Sequence, residues 1–245
     1  MSHNNTFFAI ILTFLFFLCF YYFTPQFLPE LDKIFITIMI FLFATLAGFF
    51  ISRQGTRYRQ LVAKVTDFDG AISFFYRSIG VFGSQAQEKA AVIIRKHYEA
   101  IMEHNDWGHY FGTKSTTITD FNLLIEQEAN SKEKLNPAQT AFVMRAYHTL
   151  EEVQRLRKNM VALFNEDIPR FQWALILFLV VMLIAAIASI PSVDALVASL
   201  FKAAFSTVII AVVFMLAKLN RFTFFENMVG QSSGQDVLDI IEGKK

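Results

Sequence analysis

The chain has 245 residues, 54% of them hydrophobic and 29 of them Phe, with a formal net charge of +1. That is more apolar surface than a soluble domain of this length can bury, so lipid has to take up much of it. The near-neutral balance argues against nucleic acid as a partner, and a single cysteine, Cys19, excludes an intrachain disulfide or thiolate metal site.

Four apolar runs organise the chain: Phe7 to Phe23, Ile34 to Ser52, Phe171 to Ile190 and Ala195 to Ala217. Each approaches the roughly 20 apolar residues that a helix needs to cross about 30 Å of hydrocarbon. The expected class is all-α, with four transmembrane helices in two hairpins and a large helical cytoplasmic domain between spans 2 and 3. Residues 1–52 form the first hairpin, 53–170 the cytoplasmic domain, 171–217 the second hairpin and 218–245 a cytoplasmic tail.

The first run resembles a secretory signal only superficially, because Met1 to Thr6 carries no Lys or Arg and no small-residue cleavage site follows. Pro25 and Pro29 follow instead, so the run reads as a retained helix. Cys19 within it reads as a lipid-facing or packing residue. In the second run Thr37, Phe41, Thr45, Gly48 and Ser52 share one helical face. One reading is a pore wall, with hydroxyls touching ions and Phe41 as an apolar constriction. The other is close packing of helices through small residues.

Basic residues flank the inner ends of the runs: Arg53, Arg57, Arg59 and Lys64 after the second, Arg155, Arg157, Lys158 and Arg170 before the third, Lys218 and Arg221 after the fourth. The outer turns hold one Lys or none. Positive residues stay inside, so both termini and the central domain are expected in the cytoplasm.

Leu61, Val65, Phe68, Ile72, Phe75 and Ile79 alternate at spacings of four and three, the seam of a packed helix that continues the second span without a proline. Ser84 with Gln87 is a capping-box signature for a second helix, whose buried face would be Ile93, Ile94, His97, Tyr98 and Ile101. Gly108 and Gly112 mark a loop between Asn105 and Ser115, followed by a helix to about Ala129. Asn136 and Pro137 open another helix, the Asn as cap and the Pro in the first turn. Its apolar rhythm runs from Val143 to Leu163 and points it back at the membrane, and Pro169 either kinks it or starts a new helix.

The segments Ile168-Pro169, Trp173-Ala174-Leu175 and Leu219-Asn220-Arg221-Phe222 together resemble the bestrophin-like family of mainly bacterial integral membrane proteins. The resemblance covers roughly Ala44 to Ile241. In that family two hairpins flank a helical cytoplasmic domain, and the fourth span ends in a Leu-Asp-x-Pro-Phe-like motif. Here Asn220 stands where an Asp is usual and no proline precedes Phe222, which leaves any role for a carboxylate there unsupported. The resemblance implies a ring-shaped homo-oligomer, a pentamer by likeness, conducting inorganic anions along its second spans. The acidic calcium cluster of eukaryotic bestrophins has no counterpart beyond Glu166 and Asp167, so calcium gating is not expected.

Lys202 lies several residues inside the fourth run, about 10 Å along a helix from Ala195, in one sector with Ser192, Ala195, Ser199 and Ser206. Either this stripe is an anion-facing wall, or the lysine snorkels to headgroups while the serines pack another helix. His97 and His104 with Glu103, and His148 with Glu151 and Glu152, have spacings that permit metal ligation, but ordinary packing or surface positions fit them better, and neither a metal nor a cofactor is expected. No P-loop, dinucleotide or hydrolase motif occurs, so no enzyme is expected. The tail, with Phe224, Phe225, Met228, Val237, Leu238 and Ile240, returns along the cytoplasmic domain, with a short amphipathic helix from Asp236 to Glu242.

The functional expectation is a homo-oligomeric anion channel in the lipid bilayer. The alternative is a non-conducting anchored protein whose cytoplasmic helices bind a partner. A stator-like proton channel ranks last, because the first three runs contain no Asp or Glu.

Overall fold

The computed structural model describes residues 3–24, 31–104, 115–191, 194–222 and 230–244, and among these the only regular structure is helical. The expected turn at Pro25 and Pro29, the loop at Gly108 and Gly112, Ser192, and the tail residues Phe224, Phe225 and Met228 lie outside the described residues, as do the side chains of Glu103 and His104. In chain order the helices are α1 (His3–Phe23), α2 (Lys33–Ser78), a 3-10 turn (Ile79–Phe82), α3 (Ser84–His104), α4 (Thr117–Asn130), α5 (Pro137–Phe164), α6 (Arg170–Ala188), α7 (Ala195–Asn220) and α8 (Gly230–Glu242).

Three of these, α2, α6 and α7, are long and apolar enough to cross a membrane, and the apolar stretch Phe7–Phe23 of α1 is shorter. The chain divides into two compact units, one of residues 1–55 and 167–224, the other of residues 56–166 and 225–245. The uninterrupted helix α2 contributes to both, as its proline-free sequence predicts.

In the first unit α1 packs closely on α7, with Phe17 and Tyr21 buried against Ala203 and Ala188. Small residues on α7 let the two helices approach and leave room for the α1 rings. The α2 part of this unit packs instead on α6, where Met39 meets Leu179 and Leu183 and Phe50 meets Ile176 and Val180, with Leu216 of α7 in the same cluster as Phe50. Outward-facing residues are strongly apolar, among them Phe8, Phe16, Phe171, Phe178 and Phe205.

The second unit is built on the seam of α2. All six predicted residues, Leu61, Val65, Phe68, Ile72, Phe75 and Ile79, are buried, and the Phe75 ring lies tilted at 4.5 Å from Phe121 and 5.9 Å from Phe142, ring centre to ring centre. From α3 the buried residues include Ile94, His97 and Tyr98, and from α5 Ala146, Leu150, Val153, Leu156 and Met160. The α5 start is a full capping box: Asn136 Oδ1 accepts the Gln139 N–H at 2.8 Å and Gln139 Oε1 accepts the Asn136 N–H at 3.1 Å.

The capping box expected at Ser84 does not form. Gly83 precedes the helix at φ 111°, so Ser84 is already helical, and Gln87 donates its side-chain amide to the Tyr76 carbonyl at 3.4 Å. Pro169 begins a new helix rather than kinking one, because α5 has ended at Phe164 and α6 starts at Arg170. Truncating the Phe75 ring empties the centre of the second unit, so Phe75→Ala is expected to cost about 3–5 kcal/mol, read as a lower thermal midpoint of the purified full-length protein.

Candidate functional site

The face of α2 singled out from sequence is a surface of the chain. Thr37, Phe41, Thr45, Gly48 and Ser52 are all exposed, and Phe41 has 67% of its area open. On the opposite side Met39, Ala47 and Phe50 are buried. The helix thus packs one narrow side, and among its exposed residues, most of them large and apolar such as Ile34, Ile38, Leu42 and Phe49, runs a stripe of hydroxyls, a glycine and the Phe41 ring. Thr37 donates its hydroxyl to the Lys33 carbonyl at 2.9 Å, which occupies its one donor and leaves only its lone pairs facing outward.

Lys202 and its serines lie elsewhere, on the side of α7 that meets α1. Ser199, Lys202 and Ser206 are buried, Lys202 with 5% of its area open and Ser206 with none. The Tyr21 hydroxyl and the Ser206 hydroxyl share a 2.9 Å hydrogen bond, and the Lys202 ammonium lies 5.9 Å from the centre of the Tyr21 ring. Ser206 thus meets α1, Ser199 donates to the Ala195 carbonyl of its own helix at 2.6 Å, and the lysine is buried inside the unit. The sequence reading missed Tyr21, because nothing local marks one aromatic among many as the partner of a serine 185 residues away.

Where the chain ends α7, Asn220 is buried and uses both ends of its amide. Its Oδ1 accepts the Ile168 N–H at 2.9 Å and its Nδ2 donates to Asp167 Oδ1 at 3.2 Å. A carboxylate at 220 could keep the first bond but not the second, which explains physically why this chain carries Asn there beside Asp167.

In the second unit Arg57 is 3% open and forks onto the end of α5, with Nε 2.6 Å from the Leu163 carbonyl oxygen and Nη2 2.5 Å from that of Phe164. It satisfies carbonyls that the helix itself cannot and places a cation at the negative end of the dipole. From sequence it counted only as a flanking charge.

His97 sits between Phe68 and Tyr98, its ring centre 5.7 and 5.1 Å from theirs, with Nδ1 2.9 Å from the Thr117 hydroxyl. Burial, with the Arg157 charge second, lowers its pKa from 6.5 to about 4, so the ring is neutral at physiological pH. Among the described residues no group of three His, Cys, Asp or Glu side chains is placed to hold a metal ion.

One carboxylate that the sequence reading passed over is buried too. Asp69 of α2 is 5% open, accepting the Tyr98 hydroxyl at 2.6 Å on one oxygen and the Ser233 hydroxyl of α8 on the other. The α8 helix begins at Gly230, earlier than expected, and buries Val237 and Leu238.

The fold is therefore that of an all-helical chain with apolar helices long enough to cross a membrane, supporting a membrane protein. A family model described as the bestrophin-like domain matches residues 6–221, and the chain belongs to that family. No curated protein and no solved structure matches it.

Two expectations follow. Asn220→Asp sets two carboxylates side by side and removes a buried donor, so it should cost about 1–3 kcal/mol, and combining it with Asp167→Asn, which restores a donor, should recover most of the loss in a thermal melt. Because the folded-state pKa of His97 is depressed, its contribution to stability is present above about 6.5 and is lost as pH falls toward about 4. His97→Phe should flatten that part of the acid-stability curve.

Proposed function

We propose that this protein is a homo-oligomeric anion channel of a bacterial inner membrane, with four spans in two hairpins and both termini in the cytoplasm. The second span of each copy, the stretch of α2 from Ile34 to Ser52, lines the ion path. The observation that carries this reading is the exposed stripe Thr37, Phe41, Thr45, Gly48 and Ser52 on a helix whose opposite side is packed.

In a ring of copies the stripe turns toward the axis. Hydroxyls of Thr45 and Ser52 offer an anion donors in partial replacement of its water shell, and Phe41 forms an apolar collar that impedes passage when dry. Lys202, buried beside α1, would act on the path through its field rather than by contact, favouring anions. Membership of the family and the length of the apolar helices support the membrane setting.

The test is reconstitution of the purified protein into liposomes holding a chloride-sensitive dye. Chloride flux is expected, and Phe41→Ala should raise it several-fold by removing the collar, while Lys202→Met should weaken anion over cation preference. If the wild type conducts nothing and Phe41→Ala opens nothing, the channel reading fails and an anchored, non-conducting protein takes its place.

A further inference from the structure

The second unit contains a buried carboxylate whose role is not to hold a fold of opposite charges together. Asp69 lies well past Ser52, in the part of α2 that carries the helical seam, and its two oxygens are met by hydroxyls from two different helices. Tyr98 reaches it from α3. Ser233 reaches it from α8, the helix that also lays Val237 and Leu238 into the unit and accepts a hydrogen bond from the Tyr76 hydroxyl at the Ile241 carbonyl, 3.3 Å.

The choice of partners matters chemically. An ammonium or guanidinium would lock Asp69 in its ionised form, and a backbone N–H can only donate. A hydroxyl both donates and accepts, so the cluster stays hydrogen-bonded whether Asp69 is ionised or protonated. When Asp69 is ionised, both hydroxyls donate to it. When it is protonated, it donates to one of them, which turns to accept.

The charged groups around Asp69 do not favour ionisation. Facing it from α8 is Asp236, whose negative charge opposes a second one; from α3 the facing titratable group is Tyr98 itself. On α2 the neighbouring Asp67 is engaged with Lys64 at 3.1 Å on the exposed side. Burial, above all, and then Asp236 push Asp69 above the usual carboxylate range, against the two hydroxyl bonds that pull it down.

We propose that Asp69, Tyr98 and Ser233 form a proton-sensitive catch, which holds α8 on α2 and α3 when Asp69 carries a proton and slackens as the carboxylate ionises. The sign follows from linkage. Docking buries Asp69 and raises its proton affinity, so protons favour the docked form. The stabilisation is complete below the pKa of an exposed aspartate and is lost as pH rises through the raised value. Acid therefore tightens the catch. This behaviour is independent of whether the protein conducts ions.

Hydrogen exchange of the full-length protein in detergent tests it, with protection of the α8 amides corrected for intrinsic exchange and compared at about pH 5 and about pH 8. Wild-type protection should be several-fold higher at the acid value, a single proton giving at most about tenfold per pH unit. Asp69→Asn, neutral at both values, should show equal protection at the two. Ser233→Ala, which leaves the α2 seam untouched, should lower protection at both. Equal wild-type protection at the two pH values, a full pH response in Asp69→Asn, or unchanged protection in Ser233→Ala would each overturn the catch.

Discussion

Hydrocarbon supplies no hydrogen bonds, and that constraint governs this chain. A backbone group left open there costs several kcal/mol, so the apolar sequence stays helical and places each break where polar side chains can reach it. The break between Phe164 and Arg170, just ahead of the third apolar run, has its open backbone groups closed by side chains in the same way. On the α5 side Arg57 takes the carbonyls of Leu163 and Phe164, and on the α6 side Asn220 takes the N–H of Ile168 while Pro169, which has none, starts the next helix. The long helices can be as apolar as they are because their ends are closed in this way.

The buried polar groups fall into two kinds. Arg57 carries a charge that does not titrate in any accessible range, and it grips carbonyl oxygens in a fixed fork, so its role is structural. Asp69 and His97 are held instead by hydroxyls, from Tyr98 and Ser233 in one case and Thr117 in the other. Hydroxyl partners tolerate both protonation states, so the two oxygens of Asp69 keep their bonds whether it is ionised or protonated, whereas burial keeps His97 neutral. The same preference appears in the first unit, where Tyr21 and Ser206 pair beside Lys202. Hydroxyls thus recur as partners at several of the buried polar groups, alongside the carbonyls that hold Arg57 and the amide and carboxylate that hold Asn220.

The two faces of α2 have different energetics. Toward Met39, Ala47 and Phe50 it is packed, and each ring there contributes dispersion and area that hold the bundle. The opposite stripe contributes little to the packing of a single chain, since Thr37, Thr45 and Ser52 are exposed. Stability therefore does not account for its composition, and that leaves contact with ions, with lipid or with further copies as the physical reason for it.

Much of this was legible locally. Helical periods marked the seam from Leu61 to Ile79, Asn136 and Pro137 announced the α5 cap, and the flanking motifs carried the family resemblance that the family match bears out. These features were readable because a helix writes its burial and its ends into neighbouring residues. The capping box at Ser84 was misread because a glycine in a left-handed conformation moved the helix start by one residue. Composition and periodicity by themselves determined an all-helical, strongly apolar chain and marked a hydroxyl stripe on a helix that crosses from apolar to polar sequence, without saying whether that stripe is packed or exposed. Only the tertiary structure decided which polar groups meet. Tyr21 and Ser206 are 185 residues apart, Asp69 and Ser233 164, Arg57 and Leu163 106. A hydrogen bond depends on where two side chains end in space, and no local pattern records a partner that distant.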